Sequence, residues 1–159
     1  MVETLTPERT AAHLCELSAD ARAAVLLDAA GSLAGASDDD PARARALGEL
    51  ARELFEAVDK ATRDWEVEPP QQVEVQVPGG AVFASRTPRW TLAVVARRAA
   101  LSSLMLWDLR AVLGELEGAP PIRRARAADE EAARGPATDE QAAGELPLPE
   151  LGGGDGERP

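Results

Sequence analysis

The chain has 159 residues, of which 45% are hydrophobic, and a formal net charge of −11. Its length suits a single hydrophobic core, because domains commonly contain about 100–150 residues. The acidic balance argues against nucleic-acid binding, since phosphate backbones would be repelled. A single cysteine, Cys15, excludes a disulfide framework and favours a reducing, cytoplasmic compartment. No apolar run approaches the roughly 20 residues of a membrane-spanning helix, so no membrane insertion is predicted.

A short helix is predicted from Thr6 to about Leu17. Thr6 offers a hydroxyl cap, and Pro7 suits the first turn because its missing N–H would lack a partner there anyway. His13 and Cys15 share this helix but point in different directions, which is poor geometry for a metal site or a nucleophile–base pair. Without a third ligand or an orienting acid at a useful spacing, His13 is interpreted as a surface histidine.

Two strands are predicted next. Residues 23–27 form the first, and a weaker strand through Ser37 follows a turn at Gly31. Gly35 weakens this second strand and indicates an edge position or a bulge. Asp28 and Gly31 have the D-x-x-G spacing of a nucleotide-binding loop, but the sequence contains no glycine-rich phosphate-binding motif. A plain hairpin is therefore the interpretation.

The longest helix is predicted to begin at Pro41, after three consecutive aspartates. Asp40 is placed to cap the free amides, and acids are favourable at the positive end of the helix dipole. A divalent-cation site at residues 38–40 is the alternative, but a calcium loop needs alternating acids, an internal Gly and a closing Glu, which do not follow. The apolar stripe of the helix comprises Leu47, Leu50, Ala51, Leu54, Phe55 and Val58. Its opposite, solvated or partner-binding face carries Arg45, Glu49, Arg52, Glu53, Glu56 and Lys60.

Three strands are predicted after this helix. Residues 73–77 alternate valine with polar residues, as expected of a strand with one buried and one wet face. The turn over 78–80 combines Pro with glycines that tolerate positive φ, and residues 81–85 form the returning strand. Residues 90–96 are a nearly unbroken apolar run, which is typical of a central strand covered on both faces.

The last helix is predicted over 101–117, with Gly118 as its stop. Trp107 lies opposite the apolar stripe of this helix, and exposed tryptophans are enriched where another protein covers them, so Trp107 is the candidate partner contact. Asp108 falls within the stripe, where an unpaired carboxylate is unfavourable. It is expected to reach Arg97, Arg98 or a backbone amide. The stripe comprises Leu101, Leu104, Met105, Leu109, Val112, Leu113 and Leu116.

From residue 118 onward the composition changes to Pro, Gly, Ala and mixed charge. Such a segment buries too little apolar surface to order itself, so 118–159 is predicted to be a disordered tail after a domain at 6–117. A short helix over 123–134 and a docking peptide at 146–149 are the alternatives within the tail.

The order of predicted elements resembles that of the roadblock family, named for dynein light chains, and especially its bacterial members that accompany small Ras-like GTPases. The resemblance covers about Thr6 to Glu117. It implies an α+β fold with an antiparallel five-stranded sheet in the order 2-1-5-4-3, the long helix on one face and the two terminal helices on the other. The resemblance rests on AAVLLDAAGSLAGAS, the long helix from Pro41, and WTLAVVARRAALSSLMLWDLRAVL.

The resemblance also implies a homodimer. In such proteins the third strand pairs with its symmetry mate to form one sheet across the dimer, and the long helices pair beside it. In this sequence those parts are residues 71–77 and 45–61. The implied homodimer interface comprises Val73, Val75, Val77, Arg45, Glu49, Arg52 and Glu56.

No enzyme active site emerges from the sequence. His13 is the only histidine, and no nucleophile elbow, paired-carboxylate signature or phosphate loop accompanies it, so no catalytic, cofactor-binding or metal-binding residue is assigned. The predicted function is a non-catalytic dimeric regulator or scaffold of a small Ras-like GTPase. The alternatives are a structural assembly or adaptor module with no GTPase partner, and a small hydrolase with an unrecognised site. The sequence leaves open whether a regulator would promote hydrolysis, exchange or only localisation.

Overall fold

The computed structural model of the protein describes residues 4–119. Most of the predicted tail, including the alternatives at 123–134 and 146–149, lies outside the described residues. The elements are helix α1 (Pro7–Leu17), strands β1 (Ala21–Asp28) and β2 (Leu33–Ala36), helix α2 (Pro41–Asp64), strands β3 (Gln72–Val77), β4 (Gly80–Arg86) and β5 (Trp90–Arg97), and helix α3 (Ser102–Leu116).

The strands form one antiparallel sheet in the order β2-β1-β5-β4-β3, which confirms the predicted fold class and strand order. β5 is hydrogen-bonded on both sides, and Leu92, Ala93 and Val94 at its centre are fully buried. This burial explains the nearly unbroken apolar run, because a central strand covered on both faces has no side that faces water.

Among the described residues, three helices cover the two faces of the sheet unequally, as the resemblance implied. α1 and α3 pack on one face, over a core that includes Leu14, Leu26 and Phe83. α2 packs alone on the other face, over Val25, Leu27, Val82 and neighbouring residues.

Three leucines assigned to apolar stripes lie outside the core. Leu50 is 39% exposed, Leu104 is 41% exposed and Leu101 is 66% exposed, so the prediction that they pack against the sheet is wrong. Leu101 precedes the first turn of α3 as its N-cap. Leu104 is one position before the buried Met105, and the rotation of about 100° per residue turns its side chain away from the sheet. The buried stripe of α3 is therefore narrower than the sequence pattern indicated.

The predicted helix caps are realised in part. The Asp40 carboxylate accepts hydrogen bonds from the backbone N–H groups of Ala42 (2.9 Å) and Arg43 (3.4 Å), which confirms the capping interpretation. Thr6 is the N-cap of α1, but its hydroxyl makes no capping hydrogen bond. Its carbonyl instead accepts a hydrogen bond from the Thr10 hydroxyl (2.8 Å), so the predicted hydroxyl cap is wrong.

Gly35 lies in β2, an edge strand, beside a register shift between Leu26 and Leu27 of β1. Both features predicted from this glycine are therefore present. The structure adds a third reason for it: a Cβ atom at position 35 would lie 2.4 Å from the Pro7 carbonyl oxygen. The missing side chain lets the first turn of α1 pack directly on β2.

Gly35→Ala is expected to lower the free energy of unfolding by about 1–3 kcal/mol, because the clash is with backbone that cannot rotate away. Urea unfolding followed by circular dichroism measures the change. Gly114→Ala in α3 is the matched control, since its Cβ would make an ordinary contact of 3.5 Å. The control is expected to gain about 0.5–1 kcal/mol from helix propensity. Equal stability of Gly35→Ala and the unmodified chain would contradict this packing of α1.

Candidate dimer and partner interface

Within residues 4–119, β3 is an edge strand that pairs only with β4. The Arg86 N–H donates to the Gln71 carbonyl at 2.9 Å, so this pair is of the hydrogen-bonded type. Hydrogen-bonded and non-hydrogen-bonded pairs alternate along β3 and β4 from this point. The backbone N–H and C=O groups of every second residue of β3 therefore point away from β4. The residues with outward-facing backbone groups are Gln72, Glu74 and Gln76.

The side chains of β3 lie alternately on the two faces of the sheet. Val73 packs against the core beneath α2, and by alternation Val75 and Val77 lie on the same face, with Val77 42% exposed. On the α3 face, the Gln72 side-chain amide donates to the Leu106 carbonyl at 2.7 Å. The predicted alternation in this strand is confirmed, although none of its valines is fully buried.

Glu74 is held beside the first turn of α3. Its Oε1 accepts a hydrogen bond from the Ser102 hydroxyl at 2.7 Å and another from the Gln76 side-chain amide. The same residue therefore presents its backbone to the open edge and its carboxylate to α3.

The two flanks of α2 differ in character. Arg52 and Glu56 line a cleft together with the β1–β2 turn. The Arg52 side chain lies close to Gly31 in this turn, since its Cδ atom is 3.3 Å from the place that a Cβ at position 31 would occupy. Leu50 lies on the opposite flank and lines an apolar cavity of 330 Å³ with Val95 and other residues. Of the α2 residues in the predicted dimer interface, Arg45 and Glu49 share the flank of Arg52 by helical spacing and are exposed.

An ion pair that the sequence did not reveal joins α2 to the end of β4. The Arg86 guanidinium donates two hydrogen bonds to the Asp59 carboxylate, one of them at 2.8 Å, and lies 4.3 Å from the centre of the Phe55 ring. The hydrogen bonds from Arg86 lower the pKa of the Asp59 carboxyl. Arg86 therefore has a structural contact within its own chain.

His13 also has a partner that the sequence did not predict. Its Nε2 lies 3.3 Å from Glu115 Oε2, and both side chains are mostly buried between α1 and α3. The surface interpretation of His13, and the absence of an orienting acid, are therefore wrong, because a partner 102 residues away has no sequence spacing to detect. Cys15 instead contacts Ser37, and burial raises the pKa of its thiol. The two side chains point apart, as expected from their spacing.

Trp107 lies on the outer side of α3, where it is 37% exposed. Asp108, one residue on, is 1% exposed within the core, as its position in the apolar stripe indicated. The predicted contrast between the two neighbours is therefore present.

Within residues 4–119, no group of three or more His, Cys, Asp or Glu side chains is arranged to hold a metal ion. None of the helices among these residues combines the length and apolarity needed to cross a bilayer.

Arg86→Met is expected to raise the pKa of Asp59 toward the ordinary value of 3.8, as measured by carboxyl ¹³C NMR titration. Because folding lowers this pKa, the ion pair stabilises the native state above pH 3.8, and its contribution is lost as the pH falls through the lower folded pKa. Arg89→Met, at a neighbouring exposed position, is the control and should leave Asp59 unchanged. An unaltered titration in Arg86→Met would show that another group holds the Asp59 pKa down.

Comparison with solved structures identifies several similar folds. A Roadblock/LC7 domain from Streptomyces avermitilis is 20% identical, with a TM-score of 0.62 over 77% of this chain and 99% of that one. MglB of Myxococcus xanthus is 14% identical, with a TM-score of 0.61 over 73% of this chain and 88% of its own. An MglB with a tetrameric arrangement is 16% identical, with a TM-score of 0.58 over 77% and 87% of the two chains.

No family model matches the sequence, and no curated protein matches it either. The structural likeness spans nearly the whole of the Roadblock/LC7 domain and includes the same α+β architecture. The resemblance seen in the sequence is confirmed at the level of structure: this chain has the roadblock fold.

Proposed function

We propose that this chain is a non-catalytic, homodimeric regulator or scaffold of a small Ras-like GTPase in the cytoplasm. The proposal rests on the edge of β3, which presents partly exposed valines and backbone groups that no other described strand pairs with. An edge strand of this kind is an aggregation hazard unless another strand covers it. A second copy of the chain can supply such a strand, because a two-fold interface pairs the same surface of both protomers.

The proposed homodimer interface continues from β3 onto α2. Leu50 lines the cavity beside Val95, Val95 pairs with Val82 of β4, and Val82 pairs with Val75 of β3. This row connects the exposed leucine to the edge strand across one face of the sheet. The apolar flank of α2 is therefore proposed as the helical part of the interface, with the polar flank at Arg45, Glu49, Arg52 and Glu56 as the sequence-based alternative.

The GTPase partner follows from the family resemblance, whose bacterial members accompany small Ras-like GTPases. The MglB structures share the fold of this chain, which supports placing it with that group. Trp107 is the proposed partner contact, because a half-exposed tryptophan supplies the large rigid apolar area that protein interfaces favour. Its position on α3 leaves the β3 edge available for the second copy.

A structural adaptor without a GTPase partner is the second candidate. It is favoured by the acidic balance of the sequence, which has a net charge of −11. Both candidates share the homodimer and differ in the third protein that is bound.

Gln76→Pro is expected to weaken the dimer. Proline removes an outward-facing N–H from β3 and is tolerated on an edge strand. Each lost intermolecular hydrogen bond contributes about 0.5–1.5 kcal/mol, and a two-fold dimer loses two of them, so the dimer dissociation constant should rise by about fivefold to 150-fold. Sedimentation equilibrium measures this constant. Gln76→Ala, which keeps the N–H, is the matched control. A monomeric unmodified chain at high micromolar concentration would refute the interface.

The two flanks of α2 are distinguished in the same assay. Leu50→Asp should weaken the dimer because it places a charge in an apolar contact, whereas Glu49→Arg on the other flank should not. The reverse result would assign the interface to the polar flank.

The partner is tested by capture from the native cytosol with the tagged full-length chain. A Ras-like GTPase in the eluate is the expected result, and its consistent absence would favour the adaptor. Trp107→Ala should reduce the amount captured while leaving the melting temperature within a few degrees, since the side chain is 37% exposed. A large fall in melting temperature would instead make Trp107 a core residue, and unchanged capture would remove it from the contact surface.

A further inference from the structure

The end of α2 exposes apolar and acidic side chains together. The acidic turn, defined as residues 64–68, has the sequence Asp-Trp-Glu-Val-Glu. Trp65 is 81% exposed and Val67 is 58% exposed, and the three acids of the turn are exposed as well. A tryptophan and a valine exposed side by side, with charges around them, have the composition of a protein contact surface.

A Schellman motif holds the acidic turn in one conformation. The Val67 N–H donates to the Thr62 carbonyl at 2.9 Å, and the Glu66 N–H donates to the Arg63 carbonyl at 3.2 Å. Glu66 has a φ of 54°, at the position where such motifs usually have glycine. Because glycine would adopt this angle at lower cost, the position carries a carboxylate against its conformational preference. The motif therefore fixes where Trp65 and the acids beside it are presented.

The path of α2 across the sheet brings the acidic turn to the edge at β3. Position 48 lies over β1, because a Cβ at Gly48 would be 3.0 Å from Leu27. Asp59 bonds to Arg86 at the end of β4. Between these two positions α2 therefore crosses two strand spacings, or about 10 Å. At the same angle, the residues from Asp59 to Trp65 cross about one spacing more, which places Trp65 over the start of β3.

Two-fold pairing of β3 brings this turn beside the far end of the same strand in a second copy. The outward-facing groups of Gln72, Glu74 and Gln76 all find partners when Glu74 lies opposite its own copy. In that register Gln71 lies opposite Val77 of the second copy, about 5 Å away. Opposed residues of antiparallel strands carry their side chains on the same face, so both α2 helices lie on one face of the joined sheet. The acidic turn of one copy then adjoins Val77 of the other.

The surface around Val77 is complementary to the acidic turn. Val77, which is 42% exposed, pairs with Gly80, and Gly80 pairs with Arg97. By alternation with Val95, which packs beneath α2, the Arg97 side chain lies on the same face of the sheet as Val77. It is exposed, and it forms no ion pair within residues 4–119. Arg97 is two strands from the edge, about 10 Å, a distance that an Arg and a Glu side chain span together.

We propose that the acidic turn of each protomer docks on the other protomer, with Trp65 on Val77 and the Glu66 carboxylate beside Arg97. This inference rests on the proposed homodimer and adds to it a contact outside the strand pairing. The contact occurs twice in a two-fold dimer. It also fixes the register of the β3 pair, because a slip of two residues would move Val77 about 7 Å from Trp65.

Trp65→Ala is expected to raise the dimer dissociation constant of the full-length chain at least about tenfold, because an interface tryptophan is lost twice per dimer. Sedimentation equilibrium measures the constant. The far-UV circular dichroism spectrum should stay the same, since the side chain is 81% exposed. Trp107→Ala is the matched control and should leave the constant unchanged, because α3 packs on the other face of the sheet. Equal constants for the two variants would overturn the proposal.

The ionic part of the contact is tested by exchanging its charges. Glu66→Arg and Arg97→Glu each place like charges together, so each should raise the dissociation constant by about threefold or more. The double variant restores opposite charges and should return the constant toward that of the unmodified chain. Arg89→Glu, at an exposed position at the other end of the sheet, is the control and should not rescue Glu66→Arg. Additive losses in the double variant would overturn the pairing of Glu66 with Arg97.

Failure of this contact is distinct from failure of the homodimer. A monomeric unmodified chain at high micromolar concentration would refute both. A dimer that Gln76→Pro weakens and Trp65→Ala does not would leave the β3 pairing in place and overturn only the docking of the acidic turn.

Discussion

Unequal coverage of the sheet is the constraint on which the rest of the structure depends. In the part of the chain that the structure describes, α1 and α3 bury one face, whereas α2 alone covers the other. One helix about 10 Å wide cannot cover five strands spaced about 4.8 Å apart. The uncovered part of that face lies where Leu50 and Val77 are exposed, next to the open edge of β3. A proposed second copy satisfies both needs, because it supplies a strand for the edge and a helix for the face.

Polar contacts fix how α2 sits on the sheet. The Asp40 cap holds its N-terminus, and the ion pair between Asp59 and Arg86 attaches its C-terminal half to β4. The Arg86 guanidinium lies over the ring of Phe55. Because Phe55 is 5% exposed and belongs to the apolar core, this contact places the ion pair directly beside the core. The pair is partly solvated, so it orients the helix more than it stabilises the fold. Apolar burial beneath α2 supplies the larger share of the stability.

Local patterns explain which parts of this structure were predictable. The alternation in residues 73–77, the apolar run at 90–96 and the aspartate cap at Asp40 each act over a few residues, so the sequence shows them directly. The strand order came through the resemblance to the roadblock family. The contacts of His13 with Glu115 and of Arg86 with Asp59 join residues 102 and 27 positions apart, and only tertiary packing brings them together. The periodicity of α3 correctly located its buried apolar stripe but predicted a stripe that is too wide, because Leu104, which was assigned to it, is exposed.

β3 connects the proposed dimer edge to the outer side of α3. The backbone of Glu74 faces the open edge, while its carboxylate accepts a hydrogen bond from Ser102 in the first turn of α3. Gln72 is arranged in the same way, with its side chain on the Leu106 carbonyl. A strand added to the edge would restrict both residues, and each restricted side chain would in turn hold the N-terminal half of α3. Any change that this makes in the affinity of the proposed partner at Trp107 would be matched by an equal change in the pairing of β3, because coupling between two sites acts in both directions.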